Sequence, residues 1–219
     1  MKSMSRSPLL QAMIGLFALL WLVLAINPLE RDTWLLENLL VALGLLLLWR
    51  LARITPFSEQ ALLCVLAFLA LHTIGAHFTY SMVPYDEAWV SLGGSSIDAW
   101  IDAQRNHYDR LVHFAYGALL LLPLRELLIY HVAVRSFWSW FLPVNIILAS
   151  SAVYELIEWG AAALFGGDLG AAFLGTQGDE WDAHRDMALA ALGALFAVLV
   201  LALLQWRQHA GRPASENGS

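Results

Sequence analysis

The chain has one cysteine, Cys64, among 219 residues, which excludes an intramolecular disulfide. Set inside an apolar run, Cys64 reads as a small core residue and not as a nucleophile. Charge is scarce as well. Only 14% of residues are charged, with 12 Lys and Arg against 18 Asp and Glu, for a formal net charge of −6. That balance gives no nucleic-acid surface. No glycine-rich run ends in GKS or GKT, so there is no P-loop, and no spacing is a diagnostic metal motif. Lys2 and Arg6 precede the first apolar run, but no small-x-small cleavage site precedes Asn27-Pro28, so the run reads as an uncleaved helix and not as a signal peptide.

Apolar residues fill the space that charge leaves. At 59% hydrophobic residues and a mean hydropathy of +0.62 the chain is too apolar for a soluble domain. It predicts an all-α, polytopic membrane bundle of about six transmembrane helices, at 8–27, 33–54, 58–79, 109–130, 138–165 and 184–206. Residues 1–207 form a single integral-membrane domain on this reading, and 208–219 a polar, disordered tail. The lipid bilayer is the first partner. Placing the N-terminus inside puts Lys2, Arg6, Arg50, Arg53, Arg125, Arg135, Arg207 and Arg212 on the cytoplasmic side, against Arg31, Arg105, Arg110 and Arg185 outside. This predicts cytoplasmic N- and C-termini and an acidic outer face. Trp34, Trp159 and Trp181 at one set of span ends, and Trp49, Trp138, Trp140 and Trp206 at the other, read as interfacial belts.

Against this background Asp109, His113, Glu155, Glu158, Asp182 and Asp186 stand in or at the mouths of apolar spans. A carboxylate at membrane depth costs about 2.5–3.5 kcal/mol on insertion scales unless it has a partner, a cation or water. Asp109, His113 and Tyr116 are spaced i, i+4, i+7 and share a helix face. Glu155 and Glu158 are three apart, next to Tyr154, with Ser150 and Ser151 a turn deeper. Asp182 and Asp186 share a face that continues through Ala190 and Gly193, where small residues let helices approach closely. His77 and Tyr80 lie near the corresponding end of the third span, with Thr73 a turn below His77, whereas His72 turns away and reads as a packing or interhelical residue.

These donor types suit a divalent metal ion, the candidate cofactor, with Asp109, His113, Glu158 and Asp186 as candidate ligands. His113, Glu158 and Glu155 are the candidate acid–base groups, and Asp182, His77 and Tyr116 the candidate substrate-binding ones. The reading is metal-assisted or acid–base chemistry on a lipid-linked or envelope substrate. Two alternatives stay open: a small proton- or ion-coupled transporter, and an assembly partner in which Arg110 and Arg185 pair with the acids as a structural network.

The connections carry weaker signals. Ser95-Ser96 can cap a short helix in 80–106, with Ile97, Trp100 and Ile101 on one face, lying in the interface or over the site. The glycine-rich segment 166–181, with Ala171, Ala172, Phe173 and Leu174 at its centre, is either a re-entrant gate or a plain flexible loop. Pro123, Pro143 and Asn145 shape helices, and Arg125 with Glu126 reads as an interfacial anchor.

The runs RNHYDRLVHF (105–114), YELIEW (154–159) and GTQGDEWDAHRDM (175–187) resemble the YjdF-type bacterial inner-membrane proteins, a family of unknown function. The resemblance extends over about residues 10–206 and implies a six-helix protein of the bacterial inner membrane. A more distant likeness is to VanZ-like membrane proteins, associated with glycopeptide resistance. Asp109, His113 and Phe114 match their DKxxHF element with Arg110 for the Lys, and Glu155 or Glu158 stands for an acidic position. Asp186 matches a DxxxN element whose Asn is here Ala190, and Gly193 is followed by Ala197 where a second Gly is expected.

Overall fold

The structure is a computed structural model that describes residues 7–165 and 176–210. Among the described residues there is no β-strand, and the order is α1 (Pro8–Leu24), α2 (Arg31–Ile54), α3 (Glu59–His77), α4 (Tyr85–Ser91), α5 (Ile97–Trp100), α6 (Tyr108–Val132), α7 (Trp138–Phe165) and α8 (Asp182–Ala210). Five of these, α2, α3, α6, α7 and α8, are long and apolar enough to cross a membrane, and α1 is a shorter apolar helix of 17 residues. The protein is a polytopic helical membrane bundle. Large apolar side chains such as Leu19, Leu46, Leu195 and Phe196 face outward, as expected where lipid and not water is the solvent. Residues 208–210 continue α8, and the remaining tail, like the apolar centre of the 166–181 loop and Asp168, lies outside the described residues.

Local chemistry sets the helix starts. Ser7 accepts a hydrogen bond from the Leu10 N–H at 3.1 Å, with Pro8 in the first turn; Ser58 accepts from the Ala61 N–H at 3.1 Å, and Ser96 from the Ala99 N–H at 3.0 Å. Ser58 also donates its N–H and hydroxyl to the two oxygens of Glu126 at 2.8 and 2.6 Å. Glu126 is thus a clasp between α6 and the start of α3. Its neighbour Arg125 lies over the Trp140 ring at 3.7 Å, a cation–π contact that ties α6 to α7.

The tightest packing in the bundle is between α6 and α8. A Cβ added to Gly117 would collide with the Ala190 carbonyl oxygen, and one added to Gly193 with that of Phe114. With no net hydrophobic drive between helices in lipid, such close approach through small residues is what holds two spans together. Leu121 from α6, Ile147 from α7, and Ala190, Ala194 and Ala197 from α8 form the buried core around it. The seam fixes the site, because Gly117 lies below Asp109 and His113 on one stripe of α6, and Ala190 lies one turn below Asp186 on α8.

Candidate functional site

Continuing that seam toward the start of both helices brings side chains together in two layers. In the deeper layer, one ligand atom each from Asp109, His113 and Asp186 lies within 4.8 Å of the others. His113 Nε2 is 3.6 Å from Asp109 Oδ1 and 3.7 Å from Glu155 Oε1, and its ring meets Tyr154 edge-on at 6.1 Å. Asp186 is buried, with 2% of its surface exposed. Among the described residues, Asp186 Oδ1 and Glu155 Oε1 are buried without a hydrogen-bond partner. An unmet carboxylate oxygen in such a place costs several kcal/mol unless something charged or protic meets it.

The shallower layer is the opposite case, an acid network saturated by arginines. Arg105 is paired with Asp182 and donates to the Thr176 carbonyl at 3.1 Å. Arg110 and Arg185 both bind Asp179, which also accepts the Trp181 N–H at 3.1 Å. The Asn106 N–H donates to Gln177 Oε1 at 2.9 Å, and Gln177 Nε2 returns a bond to the Asn106 carbonyl at 3.1 Å. Gln177 at φ 49° and Gly178 at φ 85° turn the backbone so that Asp179 faces the arginines. Burial pushes the Asp179 carboxyl upward, but the Trp181 N–H and the guanidinium groups of Arg185, Arg110 and Arg105 hold it below its ordinary value. His107, at the mouth of α6, is held below the usual imidazole range by burial and by Arg110 and Arg105. The short sequence runs 105–110 and 176–185 are therefore two halves of one clamp.

The structure places the candidate residues unevenly. Asp109, His113 and Asp186 converge, with Glu155 beside them. Glu158 lines a cavity of about 520 Å³ between α2, α3, α6 and α7, which Asp109 and His113 also face. Tyr116 lines the same cavity deeper down, with its hydroxyl 2.6 Å from Ser150 Oγ. Asp182 belongs to the arginine clamp. His77 is drawn elsewhere, its Nδ1 2.7 Å from the Leu24 carbonyl at the end of α1.

The cavity also contains groups that the sequence reading passed over or took as packing. Glu37 of α2 is 2% exposed, accepts a hydrogen bond from the Tyr154 hydroxyl at 3.4 Å and lies 3.6 Å from His72 Nε2. His72 Nδ1 is 2.6 Å from the Tyr80 hydroxyl. Tyr80 reaches back because Thr79 and Tyr80 both take φ 55°, and because Gly75 leaves room for its ring. Glu37 satisfies the same criterion that singled out the other acids, a carboxylate within an apolar span. Its pairing with His72 needs the helices in place.

With the geometry established, the relatives are informative. Residues 9–207 match the family described as "Predicted membrane protein (DUF2238)", and the chain belongs to that family. It is 37% identical over 180 residues to "Inner membrane protein YjdF" of Escherichia coli (strain K12), covering 82% of each chain. No solved structure matches.

Proposed function

We propose that this is an inner-membrane protein whose Asp109, His113 and Asp186 hold a divalent cation, and that the site carries out acid–base chemistry on a lipid-linked or envelope substrate. The observation that carries the reading is that one ligand atom each of Asp109, His113 and Asp186 lies within 4.8 Å of the others, on an Asp186 whose Oδ1 is buried without a hydrogen-bond partner among the described residues. Two carboxylates and an imidazole match the needs of Mn²⁺, Fe²⁺ or Zn²⁺. A cation there would offset the excess negative charge and polarise an ester or phosphoester oxygen. Glu155, whose Oε1 is 3.7 Å from His113 Nε2 and has no hydrogen-bond partner among the described residues, is the acid–base group beside the ligand set, and Glu158 faces the substrate from the cavity wall. The arginine clamp fixes the first turn of α6 and α8. The inner-membrane location rests on the name of the E. coli relative together with the apolar helices, and cytoplasmic termini on the distribution of basic residues.

The test is elemental analysis of the detergent-purified protein beside Asp109→Asn and Asp186→Asn, each checked for intact folding. The reading expects stoichiometric metal in the parent and loss in both variants. Equal metal in all three, or none in any, overturns it. One observation favours a second reading, coupled transport: Glu37, His72 and Glu158 bring further titratable groups to the same cavity. Proton or ion flux in sealed vesicles that needs Glu37, with no chemical turnover, would select it.

A further inference from the structure

The cavity between α2, α3, α6 and α7 is one-sided in charge. Glu37, His72, Asp109, His113 and Glu158 line it, and no lysine or arginine does among the described residues. The arginines at that end are turned into the clamp, Arg105 onto Asp182 and Arg110 and Arg185 onto Asp179. With Asp109 and His113 assigned to the cation, Glu37 and Glu158 still face the cavity with no guanidinium to meet them. Glu37 lies about 9 Å along α2 from its start, at 1.5 Å per residue. A carboxylate at membrane depth calls for a partner, a cation or water.

A second, independent observation points to a ligand. His72 is 7% exposed and lines the cavity, and its Nε2 has no hydrogen-bond partner among the described residues. Glu37 Oε2 is 3.6 Å from that nitrogen, too far for a hydrogen bond. The other ring nitrogen is held, 2.6 Å from the Tyr80 hydroxyl, so the imidazole is anchored with Nε2 toward Glu37. A buried polar atom left unmet costs about 1–3 kcal/mol in general, and an occupant with N–H groups would remove that cost.

The rest of the wall describes the occupant. Phe68, Tyr80, Tyr116 and Tyr154 line the cavity, and aromatic rings attract a cation placed over their faces. Leu48, Leu51, Phe57, Leu124 and Leu127 line its other end, with Tyr116, Ser150 and Ser151 part-way down. That leaves room for a short apolar body, and the volume of about 520 Å³ lies within the ordinary range for a small-molecule site. A phosphate or carboxylate head would meet carboxylates and no arginine.

We infer that this cavity binds an organic ammonium, a primary amine carried on a compact apolar body. Its three N–H donors meet Glu37, Glu158 and His72 Nε2, the last as an acceptor in the tautomer that donates from Nδ1 to the Tyr80 oxygen. The body lies against the leucines of α2 and α6. None of the three metal ligands takes part, so the amine site stands apart from the metal reading.

The test is equilibrium dialysis of phenethylamine, phenethyl alcohol and hydrocinnamate, three heads on one apolar body, against the full chain in nanodiscs, with empty nanodiscs to correct for partition into lipid. The amine should bind the parent at least about tenfold tighter than the alcohol or the carboxylate. Glu37→Gln should remove that preference and leave the alcohol unchanged, and Glu158→Gln carries the same expectation if Glu37→Gln does not fold. An alcohol or carboxylate that binds as tightly as the amine, no binding of the amine, or a full preference in the folded variant overturns the site. The dialysis is run with and without Mn²⁺. An amine preference in protein that takes up no metal supports the site and overturns the metal reading, and metal uptake without an amine preference overturns the site alone.

Discussion

Two groups of acids lie a few residues apart at one end of the α6–α8 seam and are treated in opposite ways. Asp179 and Asp182 are saturated by Arg105, Arg110 and Arg185; among the described residues Asp109 and Glu155 have only the His113 imidazole within ion-pair distance, and Asp186 Oδ1 has no hydrogen-bond partner. On the proposed reading, the difference separates charge that holds a structure from charge held ready for a ligand. Removing one partner of a buried pair leaves the other exposed to the full desolvation cost, whereas neutralising an already unmet acid removes a cost.

The comparison breaks first at Arg105. Arg105→Ala removes the close partner of Asp182, whose side chain is 6% exposed, and leaves it only Arg110 at 3.9 Å; it should destabilise the folded protein by about 3 kcal/mol, read by thermal or denaturant unfolding in detergent. A loss no larger than that of an exposed surface arginine would mean that the clamp is decoration. Next comes the seam on which both groups depend. Gly117→Val drives a branched side chain into the Ala190 backbone and should cost about 1–3 kcal/mol, while weakening metal binding because Asp186 moves away from His113. The same unfolding assay applied to Asp186→Asn without metal should move stability by less than about 1 kcal/mol, in contrast to its complete loss of metal.

A pH series sharpens the contrast further. Because the Asp179 carboxyl is held below its ordinary 3.8, its contribution to stability is present above that value. It is lost as pH falls through 3.8 and on through the lower folded value. An acid-induced loss of stability in this range should shrink in Asp179→Asn. An unchanged acid limb would show that the arginines do not stabilise the ionised form.

The helical membrane architecture was legible because hydropathy reports solvent directly: long uncharged runs have no other stable home. Single-helix relations were legible too. The i, i+4 spacing of Asp109 and His113, and of Asp182 and Asp186, states a shared face whatever surrounds it. The partners across helices were not. Nothing in the spacing tells Asp182, which finds Arg105, from Asp186, which finds no guanidinium, because that choice is made by the turn at Gln177-Gly178. His77 looked equivalent to its neighbours until the end of α1 came beside it and offered the Leu24 carbonyl. Glu37 carried the same depth signal as the other acids and was overlooked; only the packing of α2 on α3 reveals that it faces His72.

The central claim is that Asp109, His113 and Asp186 are one ligand set. The most direct measurement is diffraction from crystals grown with Mn²⁺, collected at an energy where manganese scatters anomalously. The account predicts a single anomalous peak within coordination distance of all three side chains, about 2.0–2.3 Å from their donor atoms, which disappears in Asp186→Asn. A peak among Asp179, Asp182 and the arginines, or no peak in crystals of the folded parent, would contradict it.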